Sequence, residues 1–119
     1  LELGACRIIN IKQARVGGLS AAVAIHDLCK ARGIPVWCGG MLETGIGRAA
    51  NMALCSLPNF SLPADLSASD RYFEEDLIDP PVVLNADGTI TVPTGAGLGV
   101  HVMPERIRRH TARRARFTP

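Results

Sequence analysis

The chain has 119 residues, 47% hydrophobic and 20% charged, with 4% aromatics; this excludes disordered and collagen-like classes and suits one domain, which commonly takes about 100 to 150 residues. The formal charge of +2 is uneven: residues 1–104 hold seven basic and ten acidic side chains, whereas residues 105–119 hold six arginines against Glu105 alone. A basic cluster confined to one end reads as a solvated terminus, not a nucleic-acid face.

Four cysteines, Cys6, Cys29, Cys38 and Cys55, form no Cys-x-x-Cys pair and sit in apolar stretches, so free buried thiols in a reducing, cytoplasmic setting are expected. No stretch reaches the roughly 18 to 20 apolar residues of a membrane helix, and no charged start leads into an apolar signal core.

In chain order, Leu1-Glu2-Leu3-Gly4 reads as the last turn of a helix closed by glycine, so the chain is expected to begin in mid-fold. Cys6 to Ile11 is a short apolar run suited to a strand buried on both faces, and Lys12 ends it. After Gly17-Gly18, Leu19, Ala22, Val23, Ile25, His26 and Cys29 recur at helical spacing, which predicts a helix over 19–32 with Ser20 as a cap. Ile34 to Cys38 predicts a second strand, ended by Gly39-Gly40. From about Thr44, Ile46, Ala49, Ala50, Ala53, Leu54 and Leu57 predict a second helix that Pro58 terminates, and Phe60-Ser61-Leu62 a third short strand.

This alternation predicts an α/β fold of parallel β/α units. Beyond Asp65 the texture changes to an acidic segment, Asp70 to Asp79, then Pro80-Pro81 and a hairpin of Val82–Leu84 with Thr89–Val92 across Asn85 to Gly88. The expected division is 1–66 for β/α units, 67–104 for an appendage with a hairpin, and 105–119 for a basic helix or tail.

In parallel β/α folds the working groups collect where strands end, because the loops there leave a crevice. Three strand ends would present Lys12, then Gly39-Gly40-Met41 with Glu43, then Asp65. A lysine closing a buried strand is either a desolvated amine usable as a base, or a packed stem with its head in water. Gly39-Gly40 either lets a ligand approach backbone donors or simply makes the turn. Asp65 either orients a site residue or caps the next segment, and Glu43 either joins the site or favours a helix start. Gly95 to Gly99 lacks the spacing of a nucleotide loop and reads as a tight backbone crossing. His26, His101 and His110 stand apart from other ligand residues, so no internal metal cage is expected.

Ile9-Asn10-Ile11-Lys12, Arg15-Val16-Gly17-Gly18 and the run from Gly33 through Gly39-Gly40-Met41-Leu42-Glu43-Thr44-Gly45-Ile46-Gly47-Arg48 to Asn51 resemble the o-succinylbenzoate synthase and N-acylamino acid racemase group of the enolase superfamily. Leu57-Pro58-Asn59-Phe60, Ser67 to Arg71 and Pro93 to Gly99 extend the likeness over roughly residues 3–103. The resemblance implies a partial parallel (β/α) barrel: about the last three β/α units of a TIM-like barrel plus a C-terminal appendage. It implies that Lys12 is the second of two active-site lysines, with Asn10, Gly40 and Met41 binding substrate and the last two meeting its acyl part. Such enzymes draw a proton from the carbon beside a carboxylate while Mg²⁺ stabilises the enediolate.

The same resemblance places the three carboxylate metal ligands and the first lysine on earlier strands, so Mg²⁺ is expected in the whole protein and not on this chain alone. A full barrel takes about 250 residues. Gln13 stands where the group often has proline, and the arginine-rich end is untypical. Expected partners are a small carboxylate, either an N-acylamino acid or the o-succinylbenzoate precursor, the remaining barrel half, and further copies in a homo-oligomer; membranes and nucleic acid are not expected. The alternative is a noncatalytic α/β module acting through self-association or an acidic partner.

Overall fold

A computed structural model describes residues 1–117. Short apolar runs form β1 (Ile9–Ile11) and β2 (Val36–Cys38), which pair in parallel with Ile9 opposite Val36, Asn10 opposite Trp37 and Ile11 opposite Cys38. Parallel neighbours require a crossover. It is made by the single turn α1 (Gln13–Val16), which periodicity did not predict, and by α2 (Leu19–Ala31). The fold is α/β.

Successive strand residues face opposite sides, so each strand has one face for the helices. Ile11 and Val36 are fully buried with Ala22 and Cys29 of α2 and Leu54 of α3 (Gly45–Cys55). The opposite face carries Asn10, which is exposed, and Ile8, which is 52% exposed. Among the described residues helices cover only one side of β1, so this chain alone does not supply the burial on both faces expected from its composition.

Helix α2 begins at Leu19 with Gly18 at the N-cap (φ 103°, ψ −171°), a conformation open to glycine. Ser20 is thus inside the first turn and caps nothing. Ala22, His26 and Cys29 make the buried stripe, while Leu19 and Val23 face outward. His26 stacks on Phe60 at 5.6 Å, and its Nε2 accepts the Asn59 N–H at 3.3 Å, which tethers α2 to the segment entering the third strand position.

That third position is not a continuous strand. Phe60 bridges to Val36 and Asp65 bridges to Gly39, both in parallel, but Pro63 between them has no N–H to give a ladder. The registers nonetheless bring the ends of all three segments to one edge.

Helix α3 has two buried faces. Leu54 belongs to the core with the sheet, whereas Ala49 and Met52 join Ile78 and Val82 in a second core with Ile46, Leu66, Ile90, Leu98 and Val100 around it. The second core is built by residues beyond 66, where β3 (Ile78–Asp79) pairs antiparallel with β4 (His101–Val102). The expected hairpin is reduced to a turn, in which the Asn85 N–H donates to the Thr89 carbonyl at 2.8 Å. Val82 is unavailable for a ladder because its N–H donates to Ser69 Oγ (2.9 Å) and its carbonyl accepts the Ser69 N–H (2.8 Å).

Helix α4 (Pro104–His110) starts with a proline at its first turn, where a missing donor costs nothing. Its arginines are not all solvated, contrary to expectation. Arg106 Nη1 donates to the carbonyls of Asp76 (2.9 Å) and Ile78 (2.8 Å), and Arg109 pairs with Glu75 at 2.7 Å. The Glu75 carboxyl is held below its usual range, chiefly by the hydrogen bond from His110, then by the charges of Arg109 and Arg106. A depressed carboxylate stabilises docking above its ordinary pKa, and that contribution disappears as pH falls through the lowered value. Accordingly, the protection of α4 amides, taken relative to their intrinsic exchange rates at each pH, should fall once pH drops below the ordinary glutamate range, and Glu75→Gln should remove that dependence.

The Cα radius of gyration is 16.0 Å. A self-contained domain of this length has about 13.5 Å, so the molecule is flatter and more open than one. No helix among the described residues is long and apolar enough to cross a membrane.

Candidate active site

Lys12 directly follows β1 in extended conformation (φ −112°, ψ 102°) and is half-buried. Its Nζ donates to the Gly40 carbonyl at 2.8 Å. The lysine head therefore lies at the diglycine turn. The stem crosses Gly39, where an added Cβ would overlap the Asn10 amide and come within 2.8 Å of Lys12 Cε. Glycine at 39 is what lets the Asn10 and Lys12 side chains lie together over the end of β2.

Gly40 is equally constrained from the other side, since a Cβ there would overlap the Asp65 carbonyl oxygen. The Asp65 N–H donates to the Cys38 carbonyl at 2.9 Å, which holds that segment against the strand end. The Asp65 carboxylate is exposed. Gly40, Met41 and Asp65, with Asp70, Arg71 and Tyr72, line an open cavity of about 680 Å³. Asn10, Lys12, Gly40 and Met41 thus lie along one edge; Met41 is 40% exposed and Asn10 is exposed. Arg71 and Tyr72 were not singled out by sequence reasoning, because nothing in a polar loop 30 residues downstream signals where it returns.

Glu43 does not cap a helix. Its carboxylate turns back, Oε2 accepting the Met41 N–H at 2.6 Å and Oε1 accepting from Asn51 Nδ2 at 3.2 Å. The N-terminus of α3 is satisfied from afar: the Gly45 N–H donates to Asp76 Oδ1 at 2.6 Å. Asp76 is buried with Arg48 (3.4 Å) and Ser69, whose hydroxyl bonds the same carboxylate oxygen, and Arg48 Nη2 donates to the Glu43 carbonyl at 3.0 Å.

Behind the edge, the Cys38 thiol is pushed up by its hydrogen bond to Cys55 and by burial, while Cys55 is lowered by accepting that bond. Cys29 and Cys38 are buried, Cys6 and Cys55 half-buried, and all four are free. Cys38 packs as a proton-holding core thiol, not as a nucleophile.

Among the described residues no group of three or more His, Cys, Asp or Glu side chains could hold a metal ion. Glu43, the carboxylate facing the loop, already has both oxygens engaged. Gly95 to Gly99 is a tight loop, with Gly99 at φ +70° and its N–H donating to the Ala96 carbonyl at 3.1 Å.

The N-succinylamino acid racemase of Amycolatopsis sp is 59% identical over 105 residues, covering 88% of this chain and 28% of that protein. The o-succinylbenzoate synthase of Bacillus subtilis (strain 168) is 52% identical over 118 residues, covering 99% of this chain and 32% of that protein. The crystal structure of an enolase superfamily member from Listeria innocua Clip11262 superposes with a TM-score of 0.84 at 47% identity, over 91% of this chain and 29% of that one. The chain therefore spans less than a third of the length of these relatives. With the Enolase C-terminal domain-like family description matching residues 1–106, the chain belongs to that family.

Proposed function

We propose that this chain is the C-terminal part of a parallel (β/α) barrel enzyme, about its last three β/α units, in which Lys12 moves a proton at the carbon beside a substrate carboxylate. The observation that carries this reading is the Lys12 Nζ, 2.8 Å from the Gly40 carbonyl on the edge where the strands end. The carbonyl that receives the amine belongs to Gly40, which lines the open cavity together with Met41, so a small molecule lying over that backbone would sit beside a candidate base. The whole protein's reaction is N-acylamino acid racemisation, o-succinylbenzoate synthesis or both, by likeness to the relatives of those names.

In this reading residues 1–66 are the β/α units, 67–104 the appendage that closes the second core, and 105–119 a basic helix and tail. Asn10, Gly40 and Met41 bind the substrate. Large apolar side chains left in the open, such as Ile8 at 52% and Leu42 at 72% exposure, favour coverage by the remaining barrel. Mg²⁺, when bound, supplies charge stabilisation of an enediolate, on carboxylates other than those of this chain. The chain alone is inactive, the whole protein is a cytoplasmic homo-oligomer, and its substrate is a small carboxylate.

The test is to assay the whole protein containing this segment, and residues 1–119 alone, for α-proton exchange of N-succinylamino acids in D₂O and for o-succinylbenzoate formation. Exchange or dehydration by the whole protein and none by the segment supports the reading. Neither activity in the whole protein, with its metal supplied, would turn attention to a noncatalytic module.

A further inference from the structure

We infer that Glu43 is a positioning residue that sets the Gly40–Met41 backbone for the acyl part of the substrate, and so governs affinity without taking part in proton transfer. The inference rests on the proposed function and adds a residue to the site. The loop from Gly39 to Thr44 needs such a fastening. Met41 and Leu42, at its tip, are 40% and 72% exposed, so apolar packing from this chain's own residues does not fix them.

Glu43 instead ties the loop at three points. Its carbonyl accepts from Arg48 Nη2 (3.0 Å), Oε1 from Asn51 Nδ2 (3.2 Å) and Oε2 from the Met41 N–H (2.6 Å). The anchors are themselves rigid: Arg48 and Asn51 are 2% and 1% exposed, and Arg48 is bonded to Ser69 and Asp76. A charge-assisted bond from a buried framework thus reaches, through one side chain, the backbone next to the carbonyl that receives Lys12.

Asn51 supplies a means of testing geometry apart from charge. Its Oδ1 is buried and has no partner. A glutamine at position 43 keeps one oxygen for the Met41 N–H, and a flip of the Asn51 amide turns Oδ1 toward the new NH₂. Glu43→Gln should therefore restore what Glu43→Ala destroys.

The experiment compares the whole protein with Glu43→Ala and Glu43→Gln, measuring thermal melting, kcat and KM for an N-succinylamino acid, and hydrogen exchange of the peptide spanning Met41. For Glu43→Ala, KM should rise about tenfold with kcat within about threefold of wild type, as expected when binding common to ground and transition states is lost, and exchange at Met41 should accelerate. Glu43→Gln should recover most of both. A folded Glu43→Ala protein with unchanged KM and unchanged exchange overturns the inference, and so does a fall in kcat that glutamine fails to rescue. If Met41 exchange responds as stated while the wild type processes no N-acylamino acid or o-succinylbenzoate precursor, the functional reading fails and the loop fastening stands.

Discussion

Lys12→Ala in the whole protein is expected to abolish racemisation while leaving metal content and fold intact. Racemisation needs a proton removed from one face of the α-carbon and another returned from the opposite face, so loss of either amine halts it. A positioned acid–base group contributes about 10²- to 10⁴-fold, and no second amine lies within this chain's part of the site to substitute: Lys30 is in the last turn of α2. The fold should survive because Lys12 makes a single side-chain bond, to the Gly40 carbonyl, and is only half-buried. The two candidate reactions separate here. If the lysine chiefly stabilises charge in the synthase reaction, that activity should fall about 10²- to 10³-fold without vanishing. Solvent deuterium incorporation, read for each enantiomer separately, checks the result; near-normal racemisation would remove Lys12 from proton transfer.

Asp76→Ala should be the most destabilising of the polar substitutions, by about 3 to 5 kcal/mol, because it strands a buried guanidinium. Arg48 is 2% and Asp76 4% exposed, and their 3.4 Å pair is closed by Ser69. The same carboxylate also receives the Gly45 N–H at 2.6 Å and the Leu77 N–H at 2.7 Å, so its loss uncaps α3 and frees the segment leading into β3 together. Denaturant unfolding of the whole protein measures the cost. Removing both partners, as Arg48→Met with Asp76→Leu, should recover part of it, since the residual charge causes much of the penalty. A double variant as unstable as Asp76→Ala would show that the two backbone caps dominate.

Helices α2 and α3 were legible because their apolar stripes repeat at three and four residues, a signal local to each segment. So were strands β1 and β2 and the lysine at the end of the first. Ser20 misled because a serine after a diglycine resembles a cap, whereas Gly18 reaches a φ that only glycine takes easily and starts the helix earlier. The hairpin between Val82 and Val92 misled for another reason. Alternation and an Asp-Gly turn favour pairing locally, but Ser69, 13 residues upstream, captures both backbone groups of Val82. Glu43 carried an ordinary helix-start signal, and its backward turn to Met41 depends on Asn51 and Arg48 being rigidly placed.

By itself the sequence determined the alternation of β1, α2, β2 and α3, the glycines at their ends and the candidate lysine, because these follow from periodicity and backbone preference within a dozen residues. Only the tertiary structure decided that Lys12 meets Gly40, 28 positions on, that Asp76 caps α3 from 31 positions on, and that Arg106 binds the carbonyls of Asp76 and Ile78. The physical reason is the same for all three. A buried or half-buried polar group must find a partner wherever the packed chain brings one, and such partnerships leave no periodic trace in the segments that make them.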